Sequence, residues 1–250
     1  MKLVKWEELP PEMQIDPVRQ YYDILSKKTG SLFLKRALDV TVSLLMLLIL
    51  SPVFLILAVA IKLDSPGPVF YRQVRVTQYG KQFRIFKFRS MVSNADQIGS
   101  QVTVGNDSRI TRVGKLIRKC RLDEICQLID VLRGTMTFVG TRPEVPKYVQ
   151  AYSPEMLATL LLPAGVTSLA SIFYKDEDKL LSSAENVDET YIQKVLPGKM
   201  RYNLDAIASF SIPGDIKILL MTVLAVLGKT FVNERCAEGQ LTGREEIKSK

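Results

Sequence analysis

Two adjacent carboxylates in a basic stretch are the side chains of this sequence best suited to catalysis. Asp123 and Glu124 follow Arg118, Lys119 and Arg121. A helix beginning near Asp123 would place both acids on its first turn, where unpaired N–H groups favour anions, and the guanidinium groups should keep both carboxylates ionised. An ionised aspartate can attack phosphorus to form an acyl-phosphate. Mg²⁺, which prefers oxygen ligands and diphosphates, would offset the repulsion from an anionic substrate. The alternative is a solvated helix face.

A second candidate is the stretch MTFVGTRPE, from Met136 to Glu144. Gly140 permits a close approach of the backbone, and Pro143 stiffens the turn. The planar fork of Arg142 matches phosphate oxygens. Taken alone, the same stretch is also compatible with a loop that holds a salt bridge.

The composition limits the other chemistries. The 250 residues include no histidine, which excludes triads and metal sites built on imidazole. Cys120, Cys126 and Cys236 form no CxxC pair, so neither a cysteine metal site nor a disulfide framework is predicted, and a reducing, cytosolic compartment fits best. The net charge of +8 suits anionic lipid, nucleic acid or phosphorylated substrates.

These residues must be positioned beside an apolar segment that carries a proline. No charged residue occurs from Val40 to Ile61, a length of roughly 33 Å as a helix, enough to cross a membrane. A signal peptide does not fit, since the segment is too long and more than thirty residues precede it. Hydropathy alone favours a spanning helix. Basic residues on both sides, however, give no preferred crossing direction. Pro52 would free a carbonyl near Leu48, and the Ser51 hydroxyl can reach back to carbonyls one turn earlier. The pattern therefore also allows a re-entrant hairpin.

Three further elements follow the apolar segment. The stretch from Pro68 to Met91 predicts a β-hairpin with a turn at Tyr79–Gly80, and an ordinary amphipathic hairpin is favoured over a nucleic-acid surface. The stretch 107–134 has apolar residues at helical spacing and a stop at Gly134. The apolar run 216–227 is short for a span and suits either an interfacial helix or a core helix.

Taken together and in order, these stretches resemble the bacterial sugar transferases, also called monotopic phosphoglycosyl transferases. The similarity runs from about Phe33 to Lys229. The motifs that carry it are FLKRALDV, LSP, GPVFYRQVRV, FRIFKFRSM, RITRVGKLIRKCRLDEICQLIDVLRGTMTFVGTRPE and DIKILLMTVLAVL.

The resemblance implies an enzyme that moves a sugar 1-phosphate from a UDP-sugar to a polyprenol phosphate with Mg²⁺, releasing UMP. Undecaprenyl phosphate is the expected carrier, and the step would begin assembly of a bacterial surface glycan. Asp123 matches the nucleophile of the family. Glu124 matches its partner acid and the expected Mg²⁺ ligand.

The resemblance also implies roles for basic residues and for the membrane segment. Lys87, Arg89, Arg118 and Arg142 match family positions expected to face phosphates. Ser51–Pro52 would break a re-entrant membrane helix. This sequence departs from the family at Thr141, where proline is common, and at PAGVTSLAS (163–171), where PGITGWAQ is usual. Sugar specificity is therefore not transferred.

The predicted fold is α+β: a monotopic membrane protein with a small β-hairpin and a mainly helical cytosolic domain. The predicted divisions are an N-terminal extension with one short helix (1–30), a re-entrant membrane helix (31–62), a catalytic domain (63–210), an interfacial or core amphipathic helix (211–230) and a tail (231–250).

The expected location is the cytoplasmic face of the inner membrane, in contact with anionic lipids. No nucleic acid is expected as a partner, and a homo-oligomer remains open. The competing function is a non-catalytic membrane adaptor that binds anionic lipid or nucleic acid; it would need neither Asp123 nor Mg²⁺.

Overall fold

The computed structural model describes residues 1–93, 95, 107–175, 177, 181, 186–229 and 231, and within them helices and strands are mixed, as predicted. The α-helices are α1 (Asp16–Ser26), α2 (Thr29–Asp64), α3 (Arg112–Lys119), α4 (Gln127–Arg133), α5 (Pro146–Val149), α6 (Leu169–Phe173), α7 (Val187–Thr190), α8 (Leu196–Ala208) and α9 (Ile212–Val226). The strands are β1 (Phe70–Val76), β2 (Gln82–Phe88), β3 (Met136–Val139) and β4 (Ala164–Thr167). Turns of 3-10 helix lie at Trp6–Glu8, Pro11–Met13, Gln78–Gly80, Leu122–Glu124 and Glu155–Leu161.

Helix α2 contains the predicted apolar segment and has Pro52 in its interior. Among the described residues it is the one helix long and apolar enough to cross a membrane. The Ser51 hydroxyl donates to the Leu48 carbonyl at 2.8 Å, as predicted for the carbonyl that proline leaves free. The helix is continuous across Pro52, so the re-entrant hairpin stays a prediction.

The half of α2 before Pro52 is held to strand β3 by buried polar side chains. Lys35 donates to the Val139 carbonyl at 2.8 Å. Asp39 accepts hydrogen bonds from the Thr137 hydroxyl at 2.7 Å and from the Phe138 N–H at 3.1 Å. These bonds fix the start of α2 against the strand that leads into the predicted Arg142 loop.

The half after Pro52 packs on the hairpin and on the helices beside the acidic pair. Leu57 and Ile61 share an apolar cluster with Phe88, Ile117 and Cys126. Between the two packed parts the apolar side chains are exposed, among them Leu44, Leu45, Leu48, Ile49, Leu55 and Ile56. Residues on both sides of Pro52 thus contact the rest of the protein, while the segment around it does not bury its apolar surface.

The predicted β-hairpin is confirmed. Strands β1 and β2 pair antiparallel, with Phe70 opposite Phe88 and Val76 opposite Gln82. The turn has positive φ at Tyr79 (59°) and Gly80 (72°), at the predicted position. Tyr79 is held there because its hydroxyl accepts the Val4 N–H at 3.1 Å.

The predicted helical stretch 107–134 is helical but is broken within its length. Arg121 adopts a left-handed conformation with φ 56°. This residue separates α3 from the 3-10 turn Leu122–Glu124. Both acids lie in the first turn of a helix, as predicted, but that helix is the single 3-10 turn Leu122–Glu124, and helix α4 begins only at Gln127. The predicted stop at Gly134 is confirmed by its φ of 86°.

Strands β3 and β4 form a parallel pair that the sequence analysis did not predict. The loop after β3 lies against β4 through Gly140 and Gly165. A Cβ on Gly165 would approach the Gly140 carbonyl oxygen to 2.2 Å, and one on Gly140 would approach the Pro163 oxygen to 2.9 Å. The predicted close backbone approach at Gly140 is therefore confirmed.

Residues 1–30 are packed into the core. Leu9, Met13, Val18 and Leu25 are buried in one cluster with residues of the 155–162 turn and of α8. The one α-helix predicted there is α1; its packing against the catalytic part of the chain was not predicted.

Helix α9 exposes most of its apolar side chains. Ile218 is its one buried residue, while Ile216, Leu220, Val223 and Val226 are exposed. The alternative of a core helix is therefore not supported. Of the predicted tail 231–250, only Phe231 lies within the described residues.

Candidate active site

The acidic pair, strand β2 and the loop after β3 meet at one place. Glu124 Oε1 accepts from Lys87 Nζ at 3.0 Å and from Arg142 Nη2. Lys87 comes from β2 and Arg142 from the loop that follows β3. Three stretches that the sequence analysis proposed separately, among them the Arg142 loop, therefore form a single charged cluster. Arg142 forms an ion pair with Glu124, so the alternative of a loop that holds a salt bridge also remains compatible with the structure.

Glu124 is held ionised by this cluster. Burial acts to raise its pKa, but the positive charges of Arg142 and Lys87, with their hydrogen bonds, hold the pKa well below the usual range of a glutamate. Its side chain is 16% exposed. This carboxylate agrees with the prediction that neighbouring cations keep the acids charged.

Asp123 differs from its neighbour. Burial and the adjacent negative charge of Glu124 raise the pKa of Asp123, and the opposing effects of Lys87 and Arg118 do not offset them. The pKa of Asp123 is raised although cations lie nearby, because Arg142 and Lys87 bond to Glu124 instead. That the cations keep Asp123 ionised stays a prediction. A carboxylate with a raised pKa is the more basic one and, when ionised, the better nucleophile.

The loop that presents Arg142 is fixed by backbone hydrogen bonds on both sides. Gly140 N–H donates to the Thr167 carbonyl at 3.0 Å, and Gly165 N–H donates to the Thr141 carbonyl at 2.8 Å. Val76 N–H donates to the Glu144 carbonyl at 2.9 Å. Arg142 is thus anchored to β4 on one side and to β1 on the other.

Arg75 belongs to the same region and was not predicted. Its Nη1 donates to the Pro143 carbonyl at 3.0 Å, immediately after Arg142. Burial lowers the pKa of Arg75, and the charge of Glu144 acts in the opposite direction. The hairpin register places Arg75 on the same face as Lys87, because Tyr71 opposes Lys87 and side chains alternate along β1. That alternation was the signal in the sequence that could have found it.

Arg118 lies near the acids, whereas Arg89 is used elsewhere. The charge of Arg118 lowers the pKa of Asp123, and within the described part of the chain Arg118 forms no ion pair. It is thus available to a substrate anion.

Arg89 does not face the cluster. It is 6% exposed, and its guanidinium donates to the carbonyls of Ser65 at 2.6 Å and Pro66 at 2.8 Å. Carbonyls at a helix end lack partners within the helix, so Arg89 stabilises the end of α2. The expectation that Arg89 faces phosphate is replaced by this capping contact. Ser51 and Pro52 lie in the exposed middle of α2, away from the charged cluster.

The carboxylates provide oxygen donors for a hard cation. Both cations on Glu124 use Oε1, and no described residue donates a hydrogen bond to Oε2. Over the ranges that the structure describes, no three His, Cys, Asp or Glu residues form a cluster suited to a metal ion. This donor set is compatible with Mg²⁺ held by one or two carboxylates together with substrate phosphates, the usual way in which Mg²⁺ binds.

Comparison with known proteins gives a consistent result. The family described as bacterial sugar transferase matches residues 30–229. The UDP-glucose:undecaprenyl-phosphate glucose-1-phosphate transferase of Escherichia coli (strain K12) is 38% identical over 229 residues, covering 89% of this chain and 45% of that protein.

Two further relatives have related names. The UDP-N-acetylgalactosamine-undecaprenyl-phosphate N-acetylgalactosaminephosphotransferase of Aeromonas hydrophila is 35% identical over 198 residues, covering 78% of this chain and 44% of that protein. A putative undecaprenyl-phosphate N-acetylgalactosaminyl 1-phosphate transferase of Bacillus subtilis (strain 168) is 39% identical over 133 residues, covering 53% of this chain and 74% of that protein. The chain spans about half the length of the first two relatives.

Proposed function

Because the chain belongs to the bacterial sugar transferase family, we propose that it transfers a sugar 1-phosphate from a UDP-sugar to undecaprenyl phosphate and releases UMP. The names of the relatives support the donor and acceptor classes. The observation that carries the proposal is Asp123, a partly buried carboxylate of raised pKa beside the Lys87–Glu124–Arg142 cluster.

Asp123 acts as the nucleophile in a double displacement. One carboxylate oxygen forms a bond to the sugar-bearing phosphorus of the donor, and the bond from that phosphorus to the bridging oxygen breaks, so that UMP leaves. A phosphate oxygen of the polyprenol phosphate then attacks the same phosphorus, and the bond to Asp123 breaks. The products are the polyprenyl diphosphate sugar and the regenerated carboxylate. Two steps of this kind replace the direct meeting of two anionic substrates.

The cationic side chains bind and orient the donor. Arg142 has the planar fork that matches two phosphate oxygens, and Arg118 is unpaired among the described residues beside Asp123. Lys87 provides a compact charge, and burial lowers its pKa while Glu124 opposes that shift. Glu124 holds Lys87 and Arg142 together at the point where the diphosphate would enter.

Mg²⁺ fits this donor set, with Glu124 as the residue that would hold it together with the diphosphate. When bound, Mg²⁺ supplies positive charge that stabilises the charge developing on the phosphoryl oxygens. Glu124 is suited to this role because its pKa keeps the carboxylate ionised and its Oε2 is not occupied by another described residue.

The membrane segment is re-entrant and keeps the enzyme on the cytoplasmic face of the inner membrane. Supporting this, residues before and after Pro52 contact the same catalytic part of the chain, and the apolar residues around Pro52 are exposed. The exposed apolar side of α9 adds a second contact with lipid. A soluble UDP-sugar and a membrane-bound polyprenol phosphate then meet at one interface.

The competing function, a non-catalytic adaptor, does not require Asp123. The test measures UMP release from a panel of UDP-sugars, with undecaprenyl phosphate and Mg²⁺ in detergent. We expect Asp123→Asn to reduce turnover by about a thousandfold or more, because an amide is a poor nucleophile. Labelled phosphosugar should remain on the wild-type protein when the acceptor is withheld, and should not remain on Asp123→Asn.

Asp23→Asn is the matched control, since Asp23 is a half-exposed residue on α1 paired with Arg19. It should retain normal turnover. Near-full turnover by Asp123→Asn would show that the assigned chemistry is wrong.

A further inference from the structure

A second buried polar cluster lies directly behind the Arg142 loop. It consists of Glu144, Tyr191, Lys199 and Glu177, called here the Glu144 cluster. The Tyr191 hydroxyl donates to Glu144 Oε1. Lys199 Nζ lies 2.9 Å from the Tyr191 hydroxyl, 3.4 Å from Glu144 Oε1 and 3.1 Å from Glu177 Oε2. Glu144, Tyr191 and Lys199 are each at most 6% exposed. No residue of this cluster takes part in the chemistry derived above.

An irregular helical turn brings Tyr191 and Lys199 to Glu144. Residues Tyr191–Val195 form a π-helical turn between α7 and α8. Pro197, at the start of α8, has no N–H to complete the normal α-helical bond. Eight residues of regular α-helix would separate the directions of Tyr191 and Lys199 by roughly 80°, whereas one extra residue in the π turn reduces the separation to roughly 20°. Such turns are frequent at functional sites.

The cluster fixes the far end of the loop that carries Arg142. Glu144 lies two residues after Arg142, with Pro143 between them. Its carboxylate is bound by the cluster, and its carbonyl accepts the Val76 N–H at 2.9 Å. If Glu144 moved, a buried carboxylate would lose its partners, which is costly. The largest effect on the pKa of Arg142 comes from Glu124, which raises it. The negative charges of Glu144 and Glu177 raise it further without direct contact.

We propose that Tyr191 and Lys199 are positioning residues for donor binding: through Glu144 they fix the loop that presents the Arg142 fork to the diphosphate of the donor. This proposal rests on the proposed function, because it assumes that Arg142 binds the donor. Neither side chain touches the substrate.

The test compares two tyrosines of one aromatic pair. Tyr191→Phe removes only the hydroxyl that binds Glu144 and keeps the ring, which packs 4.5 Å from the Tyr148 ring. Tyr148→Phe is the matched control, since it removes the hydroxyl of the other ring of the pair, which donates to Asp188 at 2.7 Å and not to Glu144. We expect Tyr191→Phe to raise the KM for UDP-sugar about tenfold with kcat within about twofold of wild type, as for loss of one hydrogen bond to a charged group. Tyr148→Phe should leave both constants unchanged.

A double-mutant cycle identifies the route of the effect. If Tyr191 acts through Arg142, Tyr191→Phe should raise KM much less in an Arg142→Lys background than in wild type. Additive changes in KM would overturn the proposal, as would an unchanged KM in Tyr191→Phe or equal increases in both tyrosine variants. These outcomes presuppose active wild-type protein. Wild type that releases no UMP from any UDP-sugar would instead overturn the proposed function, and this inference with it.

Discussion

The ionisation of Asp123 depends on the charges around it. Burial and Glu124 raise its pKa, while Lys87 and Arg118 lower it. The nucleophile must be ionised, so activity should fall as the pH drops through the raised pKa of Asp123, which lies above its ordinary value of 3.8. The acidic limb of the kcat/KM profile for the UDP-sugar should therefore lie above the pH expected for an exposed aspartate.

Removal of one cation should move that limb in a defined direction. Arg118→Gln deletes a charge that lowers the pKa of Asp123, so the limb should move to higher pH. Lys119→Gln is the control, because Lys119 is exposed on the same helix and is not among the groups that shift Asp123. The measurement is kcat/KM for the UDP-sugar against pH, which reports groups of the free enzyme. An unmoved limb in Arg118→Gln, or an equal shift in Lys119→Gln, would contradict this role of Arg118.

Individual residues also show which functional roles could be predicted from the sequence and which could not. Asp123 and Glu124 could be proposed because adjacent acids among cations have a recognisable chemistry. The role of Arg89 could not be predicted from its position two residues after Lys87. The same local sequence is compatible with a residue that binds phosphate and with one that caps a helix ending more than twenty residues earlier.

At the scale of elements, α2 has the most direct test. Single cysteines at Gly30, where a side chain has open space, and at Leu63, which is 83% exposed, report the two sides of the segment. The background has Cys120, Cys126 and Cys236 replaced by serine. A re-entrant segment predicts that a membrane-impermeant reagent labels both positions from the cytoplasmic side only.

Pro52→Ala should move part of the population to a spanning form, because it restores a hydrogen bond that proline removes. The two cysteines of those molecules would then label from opposite sides. Ile56→Ala serves as control, being an exposed apolar position of the same segment. Opposite labelling in the parent protein would rule out the re-entrant segment, and an unchanged pattern in Pro52→Ala would show that proline does not determine it.

The elements differ in how much of their structure local sequence specifies. The β1–β2 hairpin could be predicted, since alternation and a turn are local features. The parallel β3–β4 pair could not, because each strand has four residues and the partners are separated by a long connection. The break at Arg121 was missed for another reason: a left-handed conformation at a residue with a side chain has little local signal.

At the scale of the whole molecule, residues 1–30 should unfold together with the catalytic part of the chain. Leu25 on α1 is fully buried in the cluster that includes Leu161 and Phe210. Leu25→Ala should lower the free energy of unfolding by about 2–5 kcal/mol and shift the single main transition. Leu116→Ala, at a side chain that is 61% exposed, should have little effect. The measurement is urea unfolding in detergent; an unshifted main transition in Leu25→Ala would mean that α1 folds independently.

The contacts of α2 bear on how such proteins can be recombined. Lys35 and Asp39 bond to β3 at one end of the segment, and Arg89 caps it at the other. An anchor attached in this way is not an interchangeable module. In chimaeras between relatives, a transplanted hydrophobic segment would leave these charged side chains without hydrogen-bond partners, unless its new host carried matching donors and acceptors on the strands behind the reaction centre.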